Sequence, residues 1–277
     1  MIELNVGLIG CGAIGITLAR AISDGKAGGI TLIAVSDIDE SKLNTLSKKV
    51  QMTNVLMTTE PNKIITDERI DLVIEAASRE AVKSFAEKAL TAGKHMLIMS
   101  VGALSDNVLL SRLENVAREK TVKIYLPSGA ICGLDGVKAA SVEAIHSAEI
   151  TSIKHPKSLL GAPFLVENKI DLSQFKTSKV IFQGTAREAI SGFPKNVNVA
   201  VALSLAGLGV DRTMVKIIAD PEAIRTQHNI HVKGDFGELN TLVKNHVHPG
   251  NPKTSYLAAL AAIQTLRKIT EPIQLGT

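Results

Sequence analysis

Through the first 126 residues, short and almost wholly apolar runs alternate with amphipathic stretches. Residues 4–9 form one such run and end in glycines, after which Ile14, Leu18 and Ile22 recur at helical spacing. That pattern predicts a strand, a tight turn and a helix. Further apolar runs at 30–35, 54–57, 72–74, 96–99 and 122–126 predict strands, and the clearest helical patterns between them lie at 80–92 and 108–118. Strands that are apolar on both faces and alternate with helices imply a parallel sheet covered on both sides. The expectation is an α/β chain whose N-terminal part is a Rossmann, doubly wound parallel sheet.

After Pro127 the texture changes. Glycines cluster at Gly129, Gly133 and Gly136, and the strand-like runs at 151–154 and 179–182 lie closer together. Residues 196–208 read as a buried helix preceded by polar side chains, and 214–219, 228–233 and 238–247 as strands joined by short turns. This predicts an α+β second domain with a mainly antiparallel sheet and few helices. Residues 254–268 read as a helix with Tyr256, Leu260, Ile263 and Leu266 on one stripe, packing back on the first domain. The predicted domains are therefore 1–126, 127–250 and a C-terminal piece, 251–277.

Composition removes several function classes. Of 277 residues, 45% are apolar and 21% charged, the balance of an ordinary globular chain. Tryptophan is absent and aromatics are only 3%, which disfavours a stacking platform for nucleic acid. The net charge of +4 is dispersed, so a mixed solvated surface is expected rather than a polyanion-binding face. Cys11 and Cys132 lie far apart, each beside glycine, which suits free thiols in a cytoplasmic setting. No basic-then-apolar leader is visible, and the longest apolar stretch, 199–210, is too short for a bilayer.

Gly10-Cys11-Gly12-Ala13-Ile14-Gly15 fits the dinucleotide fingerprint and stands between the first predicted strand and helix. Gly10 permits the turn, Gly12 admits a pyrophosphate to the backbone, and Gly15 lets helix and strand pack closely. Ala13 and Ile14 open the helix, where free N–H groups and the dipole favour phosphate. Asp37 follows Gly15 by 22 residues at the end of the second strand, where a carboxylate accepts from ribose hydroxyls and repels a 2′-phosphate. NAD is the expected cofactor, with NADP a second possibility. Cys11 reads as a small residue filling its place.

Hydride transfer needs no protein nucleophile, so the chemistry to look for is a proton-transfer group and anion holders. Of seven histidines, His95 and His146 read as structural or exposed, with His146 ending a helix, and His155 as part of a wet loop. His246 and His248 could share a strand face, but no third ligand is spaced for a metal. His228 and His231 lie on opposite faces of one strand, so at most one faces a cleft. Pro127 to Gly133, Phe193 to Asn198 and Gly250 to Ser255 read as ligand cradles, the last two opening helices.

The ordered set of Gly10 to Gly15, Met99-Ser100-Val101-Gly102-Ala103-Leu104, Ser128-Gly129-Ala130-Ile131, Phe193-Pro194 with Asn196-Val197-Asn198-Val199-Ala200, Ala219-Asp220-Pro221 before His228, and Asn251-Pro252-Lys253-Thr254-Ser255 resembles the L-aspartate dehydrogenases of NAD biosynthesis. The resemblance spans nearly the whole chain. It implies NAD(P)-dependent deamination of L-aspartate to iminoaspartate, which hydrolyses to oxaloacetate and ammonia, or the reverse amination, in a homodimer. It places the catalytic histidine at His228 and further cofactor contacts at Ala130 and Asn198. One departure is Thr226, two residues before His228, where the family usually has Asn; His231 stands as the second candidate. Two substrate carboxylates need cationic or amide donors, for which Lys195, Lys253, Thr254 and Ser255 are the candidates.

Other readings are a dihydrodipicolinate reductase-like or homoserine dehydrogenase-like enzyme and a non-catalytic NAD-sensing regulator. For the first, this chain shows no His-His pair followed by a lysine and a Gly-Thr substrate loop. The sugar-oxidising Rossmann families carry Glu-Lys-Pro where this chain has Met99-Ser100-Val101. A regulator would lack a proton-transfer residue.

Overall fold

The computed structural model describes residues 3–194 and 197–276, without the side chains of residues 252 and 253. The chain divides into two compact units, Met1–Pro127 with Ala259–Leu275, and Ser128–Ala258 with Gly276–Thr277.

The first unit is built on six strands, β1 (Leu4–Ile9), β2 (Ile30–Ser36), β3 (Leu56–Thr58), β4 (Leu72–Glu75), β5 (His95–Ile98) and β6 (Ile124–Tyr125). All pair in parallel, in the order β3-β2-β1-β4-β5-β6. The order reverses between β1 and β4, and the crevice at the carboxyl ends of such a switch point is where ligands of open α/β sheets bind. Helices α1 (Ala13–Ser23), α2 (Glu40–Lys49), α3 (Pro61–Thr66), α4 (Arg79–Thr91) and α5 (Asn107–Glu119) make the crossovers. Side chains start several of them: Ser78 accepts from the Ala81 amide at α4, and Asp106 from Val108 and Leu109 at α5. Leu8, Leu18, Leu46, Leu72, Ile74 and Leu97 form the core.

The second unit carries a five-stranded sheet of β7 (Ile145–Lys154), β8 (Lys179–Thr185), β9 (Thr213–Ala219), β10 (Thr226–Gly234) and β11 (Gly237–Asn245), in the order β11-β10-β7-β9-β8. Its pairs are antiparallel except β7 with β9, so the sheet is mixed. A short hairpin, β12 (Val247–His248) and β13 (Asn251–Ser255), follows. Four helices accompany these strands among the described residues, α6 (Leu134–Ala140), α7 (Pro163–Glu167), α8 (Ala186–Gly192) and α9 (Asn198–Ala206), more than the pattern predicts. The helix α9 is buried nearly all round, and α8 starts on a capping box between Thr185 and Glu188.

The structure corrects four local expectations. β7 has ten residues; the consecutive polar pair His146 and Ser147 breaks the alternation near its start and hides its full length, and His146 lies within it and not at a helix end. β11 stops at Asn245, so His246 and His248 do not share one strand. Residues 251–255 are strand, not a helix opening, since Val247 pairs with Ser255. The last helix, α10 (Tyr256–Thr270), buries Ala259, Ala262, Leu266 and Thr270, while Tyr256 and Leu260 are exposed. Ala259 and Ala262 join Leu266 on the packed stripe: Ala262 and Leu266 enter the first unit's core, and the Thr270 hydroxyl accepts from the Gly29 amide.

Candidate functional site

The glycine-rich turn leaves β1 at Gly10, whose φ of +104° places it in the region that favours glycine. A side chain there would also strike the backbone of Ala76, with a Cβ 2.5 Å from its carbonyl oxygen. At Gly15 a Cβ would lie 1.9 Å from the carbonyl oxygen of Gly10, so turn and helix touch backbone to backbone. Gly12 differs from both, because a Cβ there meets nothing within 4 Å. Its bareness opens space and fills no contact, as the approach of a pyrophosphate requires. At the start of α1, no side chain caps Gly12 and no acid stands in the first turn, which leaves the amides around Ala13 and Ile14 and the positive dipole end for an anion.

Asp37 follows β2 and is buried. Its Oδ2 accepts from the Cys11 amide at 2.8 Å and its Oδ1 from the Asp39 amide at 3.0 Å, with Lys42 Nζ 3.5 Å away. The acid is thus fastened to the turn it serves. Ile38, beside it, is 82% exposed, an apolar surface suited to a purine that sequence periodicity does not single out. Burial, and then the charge of Asp37, push the Cys11 thiol up to about 12, so Cys11 is inert packing. A second buried acid, Glu75, ends β4 and accepts from the Ala77 amide, the Ser100 amide and the Ser100 hydroxyl at 2.8 to 2.9 Å. It holds together the turns after β4 and β5. Burial raises its pKa, against the pull of those hydrogen bonds.

In the second unit, residues paired in register share a sheet face. Ala148 and Ile150 of β7 and Ile230 and Val232 of β10 make one face apolar and buried. Toward one end that same face turns polar. His228 pairs with Ser152 across β7 and with Val243 across β11, Thr226 pairs with Asn245, and Lys154 follows Ser152 by two residues. His228 is 2% exposed, and its Nδ1 lies 2.9 Å from the Ser152 hydroxyl, which leaves Nε2 for other chemistry. Burial first, and then the charge of Lys154, lower the imidazole to about 3, so the ring is neutral near physiological pH.

Ala130 stands near this row, because the buried Asn245 donates to its carbonyl at 2.9 Å. Gly129 and Gly133, at positive φ, shape that loop. Asn198 opens α9. Lys195 lies outside the described residues, as does the side chain of Lys253; Thr254 and Ser255 are half-buried in β13. His231 faces away from His228, its Nε2 2.8 Å from Glu238. His95 accepts from the Lys123 amide, His155 from Lys157 and His248 from Gly250, which are structural duties. Among the described residues no group of three His, Cys, Asp or Glu is placed to hold a metal. Lys154, Glu75 and Ile38 are missed by sequence reasoning. For Lys154 the signal exists: it is in phase with Ala148 and Ile150 on a strand.

A six-stranded sheet in this order, opened by a bare Gly12 and closed at β2 by an acid, is the frame of a nicotinamide-dependent oxidoreductase of the Rossmann class. The family model for the homoserine dehydrogenase NAD binding domain matches residues 10–127, and the model for the aspartate dehydrogenase C-terminal domain matches residues 135–269. The chain is 47% identical to the L-aspartate dehydrogenase of Methanococcoides burtonii over 276 residues, covering 99% of this chain and 100% of that one. It is 42% identical to that of Nitrosopumilus maritimus over 274 residues, covering 99% of each. The chain belongs to the L-aspartate dehydrogenase family. The crystal structure of aspartate dehydrogenase from Thermotoga maritima superposes with a TM-score of 0.78 at 26% identity, covering 99% of this chain and 100% of that one. The scyllo-inositol dehydrogenase of Lactobacillus casei, at 15% identity and a TM-score of 0.58, shares the fold alone, over 99% of this chain and 91% of that one.

Proposed function

We propose that this protein carries out the NAD(P)-dependent oxidative deamination of L-aspartate, and the reverse amination, with His228 as its proton-transfer residue. The observation that carries the reading is a buried, neutral imidazole, anchored at one nitrogen and set in a polar row on an otherwise apolar face.

Gly10, Gly12, Ala13, Ile14, Gly15 and Asp37 would hold the dinucleotide, with Ala130 and Asn198 as further contacts, and the open space at Gly12 fits that group. When bound, the nicotinamide supplies the acceptor for the hydride that leaves Cα of aspartate. The resulting imine takes up water to give oxaloacetate and ammonia. When Nδ1–H donates to the Ser152 hydroxyl, Nε2 carries a lone pair and can take the proton of the attacking water. In the opposite tautomer the serine donates and Nε2–H becomes the acid that amination requires. A hydroxyl serves both states because it rotates. Lys195, Lys253, Thr254 and Ser255 are proposed as contacts for substrate carboxylates. The proposal includes a homodimer working in the cytoplasm to feed NAD biosynthesis; the two free cysteines fit a reducing compartment, and no described helix is long and apolar enough to cross a membrane.

The test is NADH formation with L-aspartate and NAD, beside L-homoserine, L-glutamate and L-alanine, and NADH consumption with oxaloacetate and ammonium. Aspartate-selective turnover both ways is expected. NAD binding without turnover of any of these would replace the reading with a dinucleotide sensor.

A further inference from the structure

Among the described residues two lysines are buried, and they are treated differently. Lys94 is 4% exposed, and its ammonium donates to the carbonyls of Asp67 at 2.7 Å and Ile70 at 2.8 Å. Lys154 is 7% exposed, no hydrogen bond or ion pair joins its ammonium to another described residue, and no neighbouring acid acts on it. Burying a charge without a partner is among the costliest things a fold can do, so the arrangement persists only where something else requires it. The surroundings indicate what that is. Lys154 shares its sheet face with His228, Ser152, Thr226 and Asn245, none of which carries a negative charge. The Asn245 amide is committed to the Ala130 carbonyl, and Ser152 to His228. The row thus presents one unanswered positive charge flanked by neutral groups beside the proton-transfer imidazole.

We propose that Lys154 is a further substrate-binding cation of this enzyme: its ammonium receives one of the two carboxylates of the dicarboxylic substrate and so sets the preference for dicarboxylates. The inference rests on the aspartate reading for the identity of the substrate and on Lys154 alone for the site. It explains the missing partner, because the substrate supplies it. It also bears on how a neutral His228 works beside a cation: burial is the main cause that keeps the imidazole deprotonated, and a bound carboxylate would offset the lesser one, the charge of Lys154.

The probe is succinate, a dicarboxylate with no amino group to oxidise, titrated by calorimetry into the full-length enzyme with NADH bound. Lys154→Met keeps the side chain's length and removes the charge, and Lys154→Gln is the second variant should the first fail to fold. Succinate affinity and kcat/KM for L-aspartate are expected to fall by about 50-fold in either variant, the worth of a charge-assisted hydrogen bond. The loss should fall on KM more than on kcat, with NADH affinity unchanged, a split that a merely structural lysine would not produce. Succinate affinity within about twofold of the parent in a folded variant overturns the proposal, as does failure of the parent to bind succinate. A parent that binds succinate through Lys154 but does not oxidise aspartate would leave the site standing and remove the aspartate reading, so the two fail separately.

Discussion

Replacing Lys154 by methionine should make the ligand-free protein more stable, not less. Burial lowers the ammonium from its ordinary 10.5 to about 8. Each tenfold change in proton affinity is worth about 1.4 kcal/mol, so the folded state carries about 3 kcal/mol of cost for keeping this lysine charged. The sign follows from which state holds the proton. Below pH 8 the lysine is protonated folded and unfolded, and the full cost is present. Between pH 8 and 10.5 the folded protein releases the proton while the unfolded chain keeps it, so the parent gains stability as pH rises. Above that range both states are neutral and the advantage of methionine closes. Urea denaturation of both proteins without ligand, at about pH 7 and about pH 10, reads the difference directly. The variant should lead by about 2 to 3 kcal/mol at the lower pH and by less than about 1 at the higher. A variant less stable than its parent at neutral pH, or a gap that widens with pH, would refute the claim that this charge is buried unanswered.

His228→Ala should keep NADH affinity and lower kcat at least about 100-fold, the usual contribution of a positioned acid or base, and near-normal turnover would remove His228 from its role. Because the ring sits at about 3, the kcat/KM profile of the parent should show no acid limb from His228 near 6.5. Gly15→Ala forces a Cβ to within 1.9 Å of the Gly10 carbonyl, and NADH affinity by fluorescence titration should drop about tenfold or more. Native protein treated with iodoacetamide should carry label at the exposed Cys132 and none at Cys11, whose thiol is buried and pushed up to about 12; mass spectrometry of peptides decides it.

What was legible in the chain was what is local. The turn from Gly10 to Gly15 and the acid at Asp37 are read from spacing, because strand, turn and helix are neighbours in sequence. His228 and His231 could not be separated by alternation alone, since a period of two names opposite faces without saying which one is covered. The family resemblance, not the strand pattern, chose His228. Lys154 was hidden by its company: with His155 and Lys157 beside it, the segment looks wet, and only the long strand upstream shows that it points inward. Asn251 to Ser255 has the residues of a helix opening, yet pairing with Val247 draws it into a hairpin. A partner brought in by the tertiary fold outweighs a local preference.

The bond from the Cys11 amide to Asp37 has a consequence for anyone wishing to retune this enzyme's cofactor. The carboxylate proposed to tell one dinucleotide from the other is also a strut of the glycine-rich turn proposed to hold both. Asp37→Ala should therefore raise the ratio of NADP to NAD preference while weakening both dinucleotides, a result that titration with each would show; unchanged selectivity would count against Asp37 as the discriminating acid. A successful switch has to be at least a double change, one residue to welcome the extra phosphate, for which Lys42 is already near, and another to hold the Cys11 amide in place. Evolution faces the same coupling, which makes cofactor preference in such a protein harder to change by single steps than its one-residue logic suggests.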